Sequence, residues 1–279
     1  MAHRNRKSLE VKLLSWTSGG VKLIHDLFWH DKHGRPLGWD SSMEASDREF
    51  EFVLNLLKEN WCGLTEMMWF TFQMVLPRSL HAQMRVHRHM SFFSESHQLH
   101  EPDAFADDGD YFEIPGLNAT ARQVEARAMG AAQTTYKWFR QAGILPSLAR
   151  GVLPMHVNLG LTVGMSLRTM FNTVVQRRCH ILQGTYWNPL LEGMREEVKK
   201  VDPRLSQIFD LQPCDISGRC LSPIEEELRL AGKDPHAVCP RYKELKASDN
   251  ISSCCGKGCQ GCLKGAVKED KKVSRSTSR

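Results

Sequence analysis

The sequence predicts a protein of the α/β (α+β) class with a small cysteine-rich C-terminal appendage, on three observations. Segments rich in aromatic and β-branched residues alternate with segments whose apolar residues recur at three- and four-residue steps, the two periodicities of strands and helices. The longest helical patterns come after the aromatic-rich segments, from Thr120 to Ala142 and, in the second half, from about Val157 to Gln183. Seven of the nine cysteines crowd into the last quarter of the chain.

At 279 residues, 41% hydrophobic and 25% charged, the chain is long enough to bury a sizeable core. It has no run of about 18 apolar residues, so no membrane-spanning helix is expected. The basic residues between Met1 and Lys7 are not followed by an uninterrupted apolar segment, which reads as a cytoplasmic protein. A net charge of +5 suits an anionic ligand but does not choose between a nucleotide and a nucleic acid.

Taken in order, residues 9 to 30 read as a strand, a turn at Gly19-Gly20, and another strand or short helix. His33-Gly34-Arg35-Pro36 is a turn. Residues 46 to 58 place Phe50, Val53, Leu54 and Leu57 at helical spacing and predict an amphipathic helix. Met67 to Leu76, with Trp69, Phe70, Phe72 and Val75, reads as a strand ending at Pro77. Arg78 to Met90 has few breakers and reads as a helix that delivers His87 and Arg88 at its C-terminal end.

Residues 101 to 118 form a loop. Its acidic residues, Asp103, Asp107, Asp108 and Asp110, lack the ordered ligand register of a calcium site, which favours a solvated loop. The helix from Thr120 is closed by Gly143. In the next helical pattern Leu167, Met170, Phe171, Val174, Val175, Ile181 and Leu182 define a buried face. Arg168, Asn172 and Gln176 recur on another face beside Arg177, either as a solvated polar face or as a surface for anions and amides.

Beyond Asp210 the composition shifts to cysteines, a short charged helix from Pro223 to Leu230, and a polar, basic end from Lys264 to Arg279 that reads as disordered. The domain boundaries expected are 1–210, a cysteine-rich extension at 211–263 and a basic tail at 264–279. In Cys254-Cys255-Gly256-Lys257-Gly258-Cys259-Gln260-Gly261-Cys262 the glycines let backbone wrap closely around an ion. With Cys214, Cys220 and Cys239, these cysteines are candidate ligands for zinc or an iron–sulfur cluster, with unmetallated thiols the alternative. The basic end offers a contact for nucleic acid or a protein partner. Cys62 and Cys179 stand apart and read as small buried hydrophobes.

His87-Arg88 followed by seven residues and Ser96 resembles the signature of the flavin-dependent thymidylate synthases (thymidylate synthase complementing proteins), R-H-R-x7-S, with Val86 in place of the first arginine. Asn55 to Lys58, Glu66 and Phe70-Thr71-Phe72 are similar to the segments before that signature. Pro77 to Arg88 resembles the helix into it, Ala142 to Pro154 a second block, and Ser166 to Arg177 a third. The ordered matches cover about residues 10 to 210.

The resemblance implies an antiparallel sheet flanked by helices, a homotetramer, and FAD-dependent methylation of dUMP to dTMP at C5. Methylenetetrahydrofolate would be the carbon donor and NADPH the reductant. It implies that Arg177 is catalytic, holding the pyrimidine, and that Gln83, Ser96, Arg150 and Arg177 bind the substrate. His87, Arg88, Ser91, Arg168 and Asn172 would bind the cofactor side. The family's S-x-R-Y continuation is here Ser96-His97-Gln98-Leu99, so a second arginine and a tyrosine are also absent. Two further readings follow from these departures: C5 alkylation or hydroxymethylation of another pyrimidine nucleotide, and a non-catalytic protein binding nucleotide or nucleic acid on the same scaffold.

Overall fold

The computed structural model describes residues 9–34, 40–59, 62–97, 102–179 and 186–211. The cysteine-rich extension, the charged helix near Pro223 and the basic tail, with the candidate ligands Cys214, Cys220, Cys239, Cys254, Cys255, Cys259 and Cys262, lie outside the described residues. The chain divides into two compact units, one of Met1–Thr173 with Thr185–Phe209 and one of Val174–Gly184 with Asp210–Arg279.

The first unit is built on a four-stranded antiparallel sheet in the order β1-β2-β4-β3, with β1 at Glu10–Trp16, β2 at Trp69–Pro77, β3 at Met90–Ser94 and β4 at Asn158–Ser166. The central pair runs unbroken from Trp69 opposite Ser166 to Pro77 opposite Asn158. Alternation puts Phe70, Phe72, Met74 and Leu76 on one face, opposite Met165, Val163, Leu161 and Leu159. All eight are buried, so this face is the core. At the β1 edge a register shift between Leu13 and Ser15 leaves Leu14 exposed.

Helices α1 (Gly20–His33) and α2 (Asp47–Lys58) pack together, followed by a single turn, α3 (Cys62–Thr65). The amphipathic pattern of residues 46 to 58 is realised in α2, which buries Phe50, Val53, Leu56 and Leu57. Its start carries a capping box, with the Ser46 hydroxyl accepting from the Glu49 N–H at 3.3 Å and the Ser46 N–H donating to Glu49 Oε2 at 2.7 Å. The strand-or-helix ambiguity after Gly19-Gly20 resolves as the 14-residue helix α1. Gly19 has φ +67°, and an added Cβ there would stand 3.2 Å from the Met43 and Ser41 carbonyl oxygens, so the turn requires glycine.

The chain continues through α4 (Arg78–Met84), β3, α5 (Ala119–Gln141), the short α6 (Pro146–Ala149), a 3₁₀ turn at Arg150–Val152, β4, α7 (Leu167–Arg177), α8 (Trp187–Lys199) and a final 3₁₀ segment at Pro203–Asp210. The α5 helix follows the sequence pattern closely, and Gly143 takes φ +80° just past its end. Helix α8 lies along β1, where the Leu13 N–H donates to Glu197 Oε2 at 2.9 Å. Close approach there needs Gly193, where an added Cβ would meet Val11 Cγ2 at 2.9 Å.

Two expectations are corrected. The helical pattern expected at 157 to 183 is, over its described residues, a strand followed by a shorter helix, because Leu159, Leu161, Val163 and Met165 alternate with Gly160, Thr162 and Gly164 and so read with period two, and Ile181 and Leu182 lie outside the described residues. The helix from Arg78 stops at Met84 instead of Met90, because Met90 to Ser94 must be extended to pair with β4. His87 and Arg88 therefore sit in the turn between α4 and β3, where His89 takes φ +65°.

Between α1 and α2, Lys22 Nζ donates to Asp26 Oδ1 at 2.8 Å and to Glu49 Oε1 at 2.7 Å. Burial alone would raise the Glu49 carboxyl, but the Lys22 ammonium and the Ser46 donors bring it from 4.5 down to about 2. A carboxyl depressed in the folded state contributes stability that is present above its unfolded pKa of 4.5 and lost as pH falls towards 2. Thermal melts of Glu49→Gln across this acid range are therefore expected to show a flatter pH dependence than the parent. Parallel curves would show that the ion pair contributes nothing.

Candidate active site

Helix α4 follows directly from the central strand β2 and is packed down by the buried Leu80 and Met84. Gln83 lies on its exposed side, yet its Oε1 accepts a 2.7 Å bond from Nε1 of Trp187, which is fully buried at the start of α8. The indole N–H can only donate, so the amide orientation is set: the oxygen is committed to Trp187 and the NH₂ faces outward as a donor.

The Tyr186 hydroxyl lies 3.0 Å from His156 Nε2, and His156 Nδ1 lies 3.6 Å from Glu125 Oε1 on α5. The Tyr186 phenol is pushed up by burial first and then by the Glu125 charge. It therefore remains protonated at neutral pH and available as a donor to the imidazole.

The turn from Arg85 to His89 carries His87 and Arg88. The His87 ring packs edge-on to Trp187, with centroids 5.4 Å apart, while Arg88 is exposed. Val86 is 70% exposed, so the position that breaks the signature faces solvent and has no packing role. Ser91 is exposed on β3 opposite Gly164, and Ser96 is half-buried beyond the end of that strand. Arg150 is exposed on the 3₁₀ turn, with its Nε donating to the Ser147 carbonyl at 3.2 Å.

On α7 the expected polar row is divided. Arg168 is buried, donates from Nη1 to the Leu57 carbonyl at 2.9 Å and lies 5.7 Å from the Phe171 ring centroid, so it ties α7 to the end of α2. Asn172 is half-buried and Gln176 exposed. Leu167, Met170, Phe171 and Val174 form the buried face that the spacing predicts. Arg177 ends α7 within the second unit, half-buried, with burial lowering its pKa.

Sequence reading missed Arg78, Trp187 and Tyr186. No motif marks them, because their roles come from contacts between separate segments: Arg78 with Leu153 and Trp187 with Gln83, 75 and 104 positions apart, and Tyr186 with His156, 30 apart. The acidic loop is not a cation site in its use of Asp107, which accepts from Gln133 at 2.7 Å and Lys137 at 3.5 Å.

One group of the described residues has metal-ligand spacing: His25, Asp26 and Glu49. Trp29 Nε1 donates to His25 Nε2 at 3.0 Å, so in the neutral ring Nδ1 carries the hydrogen and donates to Asp26 at 3.0 Å. With the Lys22 ammonium between the carboxylates, the cluster is an ion-pair network. Two clefts of about 500 and 960 Å³, one beside Gly19-Gly20 and one across the sheet between Lys12, Gln73, Thr162 and Phe93 beside α8, contain none of the expected site residues.

A family model described as thymidylate synthase complementing protein matches residues 15–204. Among solved structures, a UMP/dUMP methylase, PolB from Streptomyces cacaoi bound with 5-Br dUMP, is 19% identical with a TM-score of 0.55, covering 74% of this chain and 96% of that one. Thymidylate synthase X from Helicobacter pylori, with FAD and dUMP, is 12% identical with a TM-score of 0.57, covering 72% of this chain and 100% of that one. At such identities the likeness shows a shared fold. No curated protein matches the sequence.

Proposed function

Because the chain belongs to the thymidylate synthase complementing protein family, with the match spanning residues 15–204, we propose that it is a flavin-dependent methyltransferase acting at C5 of a uracil nucleotide, dUMP in the first instance. The observation that carries the choice of base is the Gln83 amide, whose oxygen is held by Trp187. Set against the C4 edge of the base, its outward NH₂ donates to the uracil carbonyl and would meet a second donor in the cytosine amino group, which favours uracil. Both solved relatives are described with a uracil deoxynucleotide bound, which supports the same substrate class.

FAD fits the donor set. Arg88 and Ser91 are exposed around the α4–β3 turn and Asn172 is half-exposed on α7, and these side chains are not committed to partners among the described residues. They suit a flat, acceptor-rich ring and its pyrophosphate. A reduced flavin bound there would supply the electrons needed to turn a transferred one-carbon unit into a methyl group. His87, held against Trp187, orients the turn from which Arg88 reaches out. The family resemblance assigns Arg150 and Ser96 to the nucleotide phosphate and sugar and Arg177 to the pyrimidine ring, to whose anionic edge a guanidinium would donate. Arg168 keeps α7, which bears Asn172, in place through Leu57.

Methylenetetrahydrofolate as carbon donor, NADPH as reductant and a cytoplasmic homotetramer complete the proposal. The exposed position of Gln83, Arg88 and Arg150 on a single chain supports a site closed by another subunit.

The test is the visible spectrum of the purified protein, followed by mass analysis of products from dUMP, UMP and dCMP with methylenetetrahydrofolate and NADPH. Flavin absorption and a methylated uracil nucleotide are expected. Arg177→Ala is expected to weaken dUMP binding by about ten- to a hundredfold, as loss of a charged donor to an anion does. A flavin-free protein whose Arg177→Ala variant binds dUMP as well as the parent does would overturn the proposal. Salt-sensitive polynucleotide binding without turnover would favour the non-catalytic reading instead.

A further inference from the structure

Basic groups gather on one side of α4 without acidic partners. Arg78, His81 and Arg85 are spaced i, i+3 and i+7, which places them within about 60° of one another around the helix axis. Arg78 is half-buried, and its Nη1 donates to the Leu153 carbonyl at 2.6 Å. The Leu153 N–H in turn donates to the Arg150 carbonyl at 3.2 Å, and Arg150 Nε donates to the Ser147 carbonyl at 3.2 Å. Both guanidinium groups are thus anchored to a single turn, residues 147 to 153.

Each anchor uses one N–H of the five that a guanidinium carries, leaving a fork free. Among the described residues, no carboxylate forms an ion pair with Arg78, Arg85 or Arg150. His81 lies between Arg78 and Arg85 with its Nε2 buried and without a partner among the described residues. Burial first, and then the Arg150 charge, lower the Arg78 pKa; burial, Arg85 and Arg78 lower that of His81. Like charges held together without a counter-ion destabilise the free protein and are relieved by an anion.

We propose that Arg78 and Arg150 together form a two-guanidinium cradle for the phosphate of the nucleotide. The inference rests on the proposed function for the identity of that nucleotide, and adds Arg78 as a binding residue. A phosphate monoester dianion presents three oxygens, enough to take a fork from each arginine. Arg78 would thereby replace, from a different part of the chain, the arginine that Gln98 displaces after Ser96.

The test is calorimetric titration of the full-length protein, and of Arg78→Ala and Arg78→Gln, with dUMP, deoxyuridine and inorganic phosphate. Both variants are expected to bind dUMP about ten- to a hundredfold more weakly and inorganic phosphate more weakly, with deoxyuridine unchanged. Arg150→Ala, at an exposed position, is expected to show the same selective loss and guards against misfolding of the Arg78 variants. Parental dUMP affinity in both Arg78 variants would overturn the cradle, as would a parent protein that binds dUMP no tighter than deoxyuridine. A parent that binds dUMP no better than inorganic phosphate, with Arg78 still required, would retain the cradle and overturn the uracil-nucleotide reading.

Discussion

Trp187→Ala is expected to destabilise the protein by about 3–5 kcal/mol, the usual cost of truncating a fully buried tryptophan. Two losses combine. The indole fills space between α8 and the α4–β3 turn, where it meets His87, and its N–H holds the Gln83 amide. Trp187→Phe separates them, since phenylalanine keeps most of the apolar volume and removes the donor. That variant is expected to melt close to the parent while its preference for uracil over cytosine nucleotides falls about tenfold, because the freed amide can turn to meet either base. Denaturant titration and competition binding of dUMP and dCMP measure the two effects. Unchanged discrimination in a folded Trp187→Phe protein would show that Gln83 is not oriented by this bond.

The second large effect is a gain. Val86→Arg restores the first arginine of the R-H-R signature at a position 70% exposed to solvent. A surface substitution of this kind changes stability by less than about 0.5 kcal/mol. A new charged donor to an anionic ligand contributes about 1.5 to 3 kcal/mol. The variant is therefore expected to bind dUMP, in the presence of flavin, about tenfold or more tightly than the parent, with an unchanged melting temperature. Equal affinity would indicate that the ligand in this chain lies away from the α4–β3 turn, and would leave the Arg78 and Arg150 side as the main anchor.

These expectations depend on features that were unequally legible in the sequence. Helix α2 was readable because its Ser46 and Glu49 capping pair and its 3.6-residue apolar spacing are local signals. The strand β2 was readable from its aromatic density and terminal proline. Strand β4 carried an equally local signal, the alternation of Leu159, Leu161, Val163 and Met165 with small residues, but it runs directly into α7, and the joined segment resembles one long apolar helix. The end of α4 could not be read locally at all. It is set by the need of β3 to pair with β4, and that pairing spans some 70 positions of chain.

The same division holds for the site. Its family signature, the missing arginine at Val86 and the residue types at Gln83, Arg150, Asn172 and Arg177 are properties of the sequence by itself, because they are linear patterns. Which way the Gln83 amide faces, that Arg168 turns inward to Leu57, and that Arg78 stands on the turn bearing Arg150 were decided only by the tertiary structure. Hydrogen-bond direction and charge proximity depend on which distant segments share space, and neither is written in the spacing of neighbouring residues.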